Sequence, residues 1–135
     1  MKYLLLSIAL LFGGCMYAQL GYTKSQLVNL KGQYTNEGTE DGVKYITYNN
    51  IDGFLSESFF FLSSTGQAYF EVFKGDISIM NDQIKSNNSY LVKVGDMEWL
   101  SPQNNIHIKI RTDTENGKRI MVMVHYYPNS VAPVR

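Results

Sequence analysis

Alternating apolar and polar side chains predict that the C-terminal part of the chain forms a β-hairpin. Two apolar rows carry this pattern: Ile106, Ile108 and Ile110 on the first strand, and Ile120, Val122 and Val124 on the second. Both rows lie on one face only in an even register, such as Ile110 opposite Ile120 with residues 113–117 as the loop. In that register the intervening polar and methionine side chains of both strands share the opposite, outer face.

Upstream, β-branched and aromatic runs bounded by turn residues predict further strands. These predicted strands are residues 43–48, 57–63, 67–73 and 90–94. The second of them is apolar on both faces, so it is expected inside the sheet, and Thr65-Gly66 joins it to the third as a hairpin. Trp99 and Leu100 are expected to return to the core.

Two segments predict helices. In residues 22–32, Thr23 and Gln26 form a capping box and Gly32 supplies a C-terminal cap. Residues 76–86 place three apolar side chains on one helical face, although part of this segment also alternates as a strand would. We therefore expect two short helices.

The order of elements is helix, three strands, helix, three strands. It predicts the α+β class, with an antiparallel sheet of about five to six strands and one or two helices packed on one face. The two stretches, residues 22–73 and 75–127, have similar lengths but share no residue-level repeat. The sequence leaves open whether they arose by duplication.

The N-terminus has the layout of a secretory signal. Lys2 precedes an apolar run over residues 3–12, and small residues follow. The run is shorter than the ~20 apolar residues of a membrane-spanning helix. Cleavage after Ala18 predicts a periplasmic or secreted protein, whereas cleavage before Cys15 would give an outer-membrane lipoprotein with its lipid on that cysteine.

After cleavage we expect one domain. The predicted division is a signal peptide at residues 1–18, a single α+β domain at residues 19–128 and a flexible C-terminal tail at residues 129–135.

The full chain has 12 basic and 12 acidic side chains, so loss of Lys2 leaves 11 against 12 and a net charge of −1. This balance excludes a highly basic nucleic-acid-binding protein. Loss of Cys15 leaves no cysteine, which excludes disulfides and thiolate chemistry.

Two short motifs carry a resemblance to known proteins. Residues 22–27 (Tyr-Thr-Lys-Ser-Gln-Leu) with Gly32, and residues 41–48 (Asp-Gly-Val-Lys-Tyr-Ile-Thr-Tyr), are similar to small exported Bacteroidota proteins of unassigned function. Over residues 22–73 the chain also resembles the repeating unit of β-lactamase-inhibitor-like and SmpA/OmlA-type outer-membrane lipoprotein domains. The chain lacks the disulfides of the inhibitor family, and its sequence predicts one helix over these residues where those units have two. The resemblance therefore implies an architecture and an exported location, and transfers no functional residue.

The outer face of the last hairpin is the predicted interaction surface. Its side chains are His107, Lys109, Arg111, Met121, Met123 and His125. The cations there suit an anionic partner, because a local basic patch can steer association even on a neutral protein. The two histidines are diagonal neighbours in the even register. A tight metal site needs three or four ligands and no third one is evident, so no metal site is predicted.

The sequence contains none of the common hydrolase or phosphate-binding motifs, and it predicts no cofactor and no enzymatic activity. The leading interpretation is an exported binding domain that contacts an unknown protein or glycan of the cell envelope. It is not expected to bind nucleic acid, and it would reach a membrane only through a lipid at Cys15. The alternative is an inhibitor or immunity-type protein that blocks an extracytoplasmic enzyme through the turn at residues 49–54, with Phe54 at its end.

Overall fold

A computed structural model describes residues 19–127, in which eight strands form one antiparallel sheet. The strands are β1 (Asn36–Glu40), β2 (Val43–Ile51), β3 (Phe54–Phe61), β4 (Ala68–Asp76), β5 (Val92–Gly95), β6 (Glu98–Ser101), β7 (Ile106–Glu115) and β8 (Lys118–Tyr126). Helix α1 (Lys24–Lys31) precedes β1, and a 3₁₀ turn (Ile77–Ile79) leads into helix α2 (Met80–Tyr90) before β5. The order across the sheet is β1-β2-β3-β4-β8-β7-β6-β5.

The predicted fold class is wrong in its strand content. The described chain has eight strands rather than five to six, so it is more β-rich than the predicted α+β arrangement. Sequence patterns miss β1 because Asn36–Glu40 contains no apolar side chain and owes its strand conformation to pairing with β2. The signal that predicts it is the Asp41-Gly42 pair that follows, which favours a two-residue hairpin turn.

Three such turns connect neighbouring strands. Asp41-Gly42, Asp52-Gly53 and Asn116-Gly117 each have positive φ at both residues, between 51° and 83°. Two consecutive positive φ angles are typical of type I′ turns, whose twist matches that of the flanking strands. They set the registers of three hairpins, because Glu40 lies opposite Val43, Ile51 opposite Phe54 and Glu115 opposite Lys118.

The first predicted helix is confirmed, and the second begins later than predicted. At α1, Thr23 Oγ1 accepts from the Gln26 N–H at 3.3 Å and Gln26 Oε1 accepts from the Thr23 N–H at 2.9 Å, so the capping box is complete. Residues 77–79 are 3₁₀ and the α-helix runs from Met80 to Tyr90. Tyr90 is therefore helical, and the strand predicted at residues 90–94 is displaced to Val92–Gly95.

The chain consists of two successive halves with the same order of elements, a helix followed by four antiparallel strands. The last strand of the first half, β4, pairs with the last strand of the second half, β8, over seven residue pairs from Phe70–Tyr126 to Asp76–Ile120. This central pairing makes one continuous sheet from two four-stranded meanders.

Both helices pack on the same face of the sheet, which we call the helical face. Leu27 of α1 packs with one buried cluster: Ile46, Tyr48, Phe59, Phe61 and Ala68. The 3₁₀ turn and α2 pack on a second cluster that includes Phe73, Trp99, Ile108, Ile110, Met121 and Met123. A third cluster contains, among the described residues, only side chains of the strands, including Phe60, Phe70, Val72 and Val122. We call its side of the sheet the helix-free face, because neither α1 nor α2 packs on it.

The even register predicted for the last hairpin is wrong. Lys118 pairs with Glu115 across a two-residue turn, so Ile110 lies opposite Met123 and Arg111 opposite Val122. The loop is shorter than the predicted residues 113–117, and the pairing becomes odd. A one-residue change of register moves every side chain of one strand to the other face.

Leu27 should hold α1 on the sheet, because its side chain is fully buried in the first cluster. We expect Leu27→Ala to lower the free energy of unfolding by about 2–5 kcal/mol, the usual range for a buried leucine. Leu30→Ala, in the same helix but 51% exposed, is the matched control and should change it by no more than about 0.5 kcal/mol. Urea unfolding measures both, and equal losses would contradict this packing.

Candidate functional site

A row of five rings crosses the middle of the helix-free face on five adjacent strands. The residues of this aromatic row are Tyr45, Phe60, Phe70, Tyr126 and His107, each directly opposite the next in the strand registers. The distances between successive ring centroids are 5.4, 5.8, 6.2 and 5.6 Å. The rings are therefore in continuous contact across β2, β3, β4, β8 and β7.

The aromatic row follows from strand alternation combined with register. Each ring belongs to the set of side chains that points away from α1 and α2, because its neighbours in the strand, such as Phe59 and His125, lie on the helical face. Phe60 and Phe70 at the centre are buried, whereas Tyr45, Tyr126 and His107 are half-buried. The sequence alone does not show this alignment, because it depends on the pairing of β4 with β8.

Apolar side chains extend the aromatic row to the β5 edge of the sheet. The next side chains in the same register are Leu100 of β6, which is half-buried, and Val92 of β5, which is 51% exposed. At the opposite end the Tyr45 ring covers Gly38 so closely that a Cβ there would lie 2.8 Å from Tyr45 Oη. Gly38 thus makes room for the outermost ring.

A cavity of about 610 Å³ opens at the Tyr45 end of the aromatic row. Its walls include Val43, Tyr45 and Tyr69, with Lys24 and Glu37 among the polar groups. Burial raises the pKa of Tyr69, so this hydroxyl stays protonated at physiological pH. The cavity therefore extends the apolar row toward a polar edge.

Ion pairs surround the aromatic row on the β4, β6, β7 and β8 side. They are Lys109–Glu98 (3.4 Å), Arg111–Asp113 (3.0 Å), Lys74–Glu115 (2.9 Å) and Lys118–Asp76 (2.9 Å). The Lys109 ammonium also lies 5.7 Å from the centre of the Tyr126 ring, and the Tyr126 hydroxyl followed by Glu98 raises the pKa of that lysine. The predicted basic patch is therefore a rim of both signs rather than a bare cationic surface.

The six side chains of the predicted interaction surface do not lie together. His107, Lys109 and Arg111 are on the helix-free face, but Met121, Met123 and His125 are buried on the helical face, with exposures of 0%, 2% and 3%. The odd register of β7 and β8 separates them. For the same reason the two histidines lie on opposite faces and cannot share a metal, and residues 19–127 contain no group of three side chains able to hold one.

A buried group of ionisable side chains lies beneath the helices, and sequence reasoning missed it. Its members are Lys31 of α1, Glu57 of β3, Glu71 of β4 and His125 of β8. Lys31 Nζ lies 2.8 Å from Glu57 Oε1, with both side chains under 10% exposed. Glu71 is opposite His125, but Glu71 Oε1 and His125 Nδ1 are 4.0 Å apart, too far for a direct hydrogen bond.

Burial disfavours the charged forms of Glu71 and His125. Desolvation, followed by repulsion from Glu57, raises the pKa of Glu71 well above its usual range. Desolvation lowers the pKa of His125 to about 3. In the unfolded chain this histidine has its usual pKa of 6.5, so at lower pH the unfolded state binds a proton that the folded state does not. The free energy of unfolding therefore decreases as the pH falls from 6.5 toward about 3. The signal in the sequence was a glutamate inside an otherwise apolar strand, residues 68–73.

No family model, curated protein or solved structure matches the chain. The resemblance to exported Bacteroidota proteins and to inhibitor-like or SmpA/OmlA-type domains therefore stays a prediction. Neither α1 nor α2, nor any other helix within residues 19–127, is long and apolar enough to cross a membrane.

Glu71→Gln should stabilise the protein increasingly as the pH rises. In the unfolded chain Glu71 ionises near pH 4.5, whereas the folded protein holds it protonated to higher pH, so above 4.5 folding must take up a proton. Glutamine removes that requirement. We expect the variant to match the wild type near pH 4 and to exceed its melting temperature near neutral pH and above.

The matched control is Glu115→Gln, because Glu115 is exposed and pairs with Lys74. This substitution should change the free energy of unfolding by no more than ~1 kcal/mol at any of these pH values. Thermal unfolding followed by circular dichroism measures both series. A Glu71→Gln variant that loses stability as the pH rises would show that the folded protein uses the ionised carboxylate.

Proposed function

We propose that this protein is an exported, non-enzymatic binding protein and that its binding site is the helix-free face. The aromatic row carries the proposal: five rings in contact on the face where no helix of residues 19–127 packs. Its accessible rings are Tyr45, Tyr126 and His107, which are half-buried, and partly exposed aromatic side chains beside a polar rim are typical of interaction sites. Export is supported by the secretory layout of residues 1–18, and a cut after Ala18 retains Leu20, which packs in the core.

The surroundings of the aromatic row fit a protein interface. Such interfaces have an aromatic, apolar centre and a polar rim. Here Tyr126 and His107 lie beside the ion pairs of Lys109 with Glu98 and Arg111 with Asp113. Because the rim has both signs, it favours a partner with complementary charges in a defined orientation, which contributes specificity and register.

The orientation of the rings favours a protein partner over a glycan. Sugar rings stack best on flat aromatic faces, whereas successive rings of this row are inclined to one another by 36°, 70°, 40° and 61°. Their edges contact one another, and Phe60 and Phe70 are buried. This gives an uneven apolar surface that suits interdigitating side chains.

The positions of the ionisable groups support the absence of catalysis. The carboxyl group and imidazole that lie closest, Glu71 and His125, are 1% and 3% exposed beneath the helical face, where a substrate cannot reach them. His107 is the histidine of the aromatic row, and its ring contacts Tyr126.

The alternative inhibitor role has less support. It relied on Phe54 at the end of the turn over residues 49–54, but this ring packs against Phe73 at 4.8 Å and is half-buried. The turn therefore does not present the aromatic side chain as a free anchor.

Photo-crosslinking tests the proposed site. A photoreactive phenylalanine replaces Tyr126 in the protein expressed in its native cells, and the control carries it at Leu30, which is 51% exposed on α1. We expect a discrete adduct with an envelope protein from position 126 only. An adduct that resists protease and loses mass with glycosidase would identify a glycan instead. The same adducts from both positions, or none from 126, would refute the site.

Reversing two charges of the rim should weaken the same complex. Lys109→Glu with Arg111→Glu places new carboxylates beside Glu98 and Asp113, so two attractive pairs become repulsive. We expect at least a tenfold loss of adduct, equivalent to about 1.4 kcal/mol. The control Lys85→Glu with Lys93→Glu makes the same change in charge at exposed positions of α2 and β5. Equal losses would indicate a long-range effect of net charge rather than a rim contact.

A further inference from the structure

Exposed apolar side chains are concentrated at the β5 edge of the sheet. In residues 19–127 the exposed large apolar side chains are Leu30, Leu55, Leu62, Tyr90, Val92 and Val94. The last three lie within residues 90–94, with exposures of 78%, 51% and 49%. The other three are separate, on α1, on β3 and in the turn after β3. Single exposed apolar side chains are normal on a protein surface, whereas a contiguous group indicates an interaction site.

The backbone of β5 is open on the same side. β5 is the last strand in the sheet order, and β6 is its one partner among the described strands. Its outer edge therefore presents N–H and C=O groups that no strand of residues 19–127 pairs with. Such an edge binds a further strand through main-chain hydrogen bonds, and the side chains provide specificity. An open edge with exposed apolar side chains indicates a site for strand addition.

The opposite edge of the sheet has different chemistry. β1 contains no apolar side chain and carries Glu37 and Glu40. Pairing of β1 with β5 of another copy would place the valines against polar side chains and leave an open edge on each copy, so the assembly would not close. Pairing of β5 with β5 of a second copy closes, because a two-fold axis makes the contact self-complementary.

Side-chain chemistry favours one register for a pair of β5 strands. When two antiparallel strands are related by a two-fold axis, one residue lies opposite its own copy and its neighbours pair across it. With Val92 at the axis, Val92 meets Val92 and Tyr90 lies opposite Val94, so every exposed apolar side chain has an apolar partner. With Lys93 at the axis, two like charges lie directly opposite, which is destabilising. With Val94 at the axis, Val92 lies opposite the exposed Asp96.

The length of β5 limits how far such a pair extends. The strand has four residues, and Val94 is the extra residue of a β-bulge, because Lys93 lies opposite Trp99 and Gly95 opposite Glu98. Short strands, lysines and bulges restrict pairing at a sheet edge. Here they leave a short contact in a single register, so we expect a reversible dimer rather than open-ended growth.

The aromatic row continues to this contact. Val92 is the outermost side chain of its register, after His107 and Leu100. Side chains that lie opposite one another in an antiparallel sheet share a face. A second copy paired at Val92 would therefore extend the apolar row through its own Val92 and Leu100, and both helix-free faces would lie on the same side of one continuous sheet.

We propose that β5 is a homodimerisation site, where two copies of the chain pair their β5 strands antiparallel with Val92 at the two-fold axis. This inference goes beyond the proposed function and does not depend on it, because the pairing uses residues 90–94 alone. If the helix-free face binds a partner, the dimer presents two copies of that face side by side.

Sedimentation velocity of the purified protein tests the pairing. The range is ~10 μM to ~1 mM, because a small interface gives a weak complex. We expect a reversible monomer–dimer equilibrium without larger species. Val92→Lys places two cations at the axis and should weaken dimerisation at least tenfold, whereas Leu62→Lys, at another exposed apolar position, should leave it unchanged. Monomer throughout, species that keep growing with concentration, or equal effects of both substitutions would overturn the inference.

Disulfide trapping tests the register and does not depend on the lysine variants. Val92→Cys and Lys93→Cys are each made in a Cys15→Ser background, which leaves one cysteine. Residues directly opposite in an antiparallel pair have Cα atoms ~4.5–5.5 Å apart, which a disulfide spans, whereas the two copies of residue 93 would be diagonal and farther apart. We expect the linked dimer to form at least tenfold faster from Val92→Cys. Equal rates, or faster linkage from Lys93→Cys, would overturn the proposed register.

Photo-crosslinking from Tyr90 identifies the occupant of the edge. With a photoreactive phenylalanine at this position in native cells, we expect an adduct of twice the chain mass that contains this protein alone. Adducts with another protein and no linked dimer would assign the edge to a foreign strand and overturn the inference. Loss of the Tyr126 adduct beside normal dimerisation would remove the proposed function alone, and monomeric protein that still gives that adduct would remove only the β5 contact.

Discussion

The register of β8 between β4 and β7 is the constraint on which the rest of the structure depends. The Asn116-Gly117 turn sets Glu115 opposite Lys118, and from there the pairing places Ile108 opposite His125 and His107 opposite Tyr126. Because alternate side chains point to opposite faces, a one-residue slip of β8 would move Met123 out of the core beneath α2 and bring Val122 there from the helix-free face. The tight turn therefore decides which side chains form the core beneath α2 and which form the helix-free face.

The pairing of β4 with β8 makes both halves parts of one site. Each half is a helix and a four-stranded meander, and neither contains the whole aromatic row. Phe70 comes from the first half and Tyr126 from the second, and their contact at 6.2 Å joins Tyr45 and Phe60 to His107. One residue along, the same pairing buries Glu71 beside His125. A single strand pair thus generates an apolar row on one face and a buried pair of ionisable side chains on the other.

The two faces of the sheet hold their charged and ionisable side chains differently. Glu71 and His125 occupy interior positions where burial disfavours their charged forms, and Lys31 pairs with Glu57 at 2.8 Å beneath α1. On the helix-free face the charges stay at the rim, each in a pair, and the centre is apolar. The separation of an apolar aromatic centre from a charged rim is the reason that we propose this face as the binding face.

Local patterns were sufficient for α1, for the inner position of β3 and for most strand locations, because a capping box, Asp-Gly or Asn-Gly turns and β-branched runs act over a few residues. They did not reveal β1, whose polar sequence becomes a strand only beside β2, and they placed the last hairpin in an even register. Of the predicted surface, His107, Lys109 and Arg111 lie on the helix-free face, while Met121, Met123 and His125 lie in the core. Sequence shows which side chains alternate, but the face that each set occupies depends on pairing between strands as distant as Phe70 and Tyr126. Only the assembled sheet decides that.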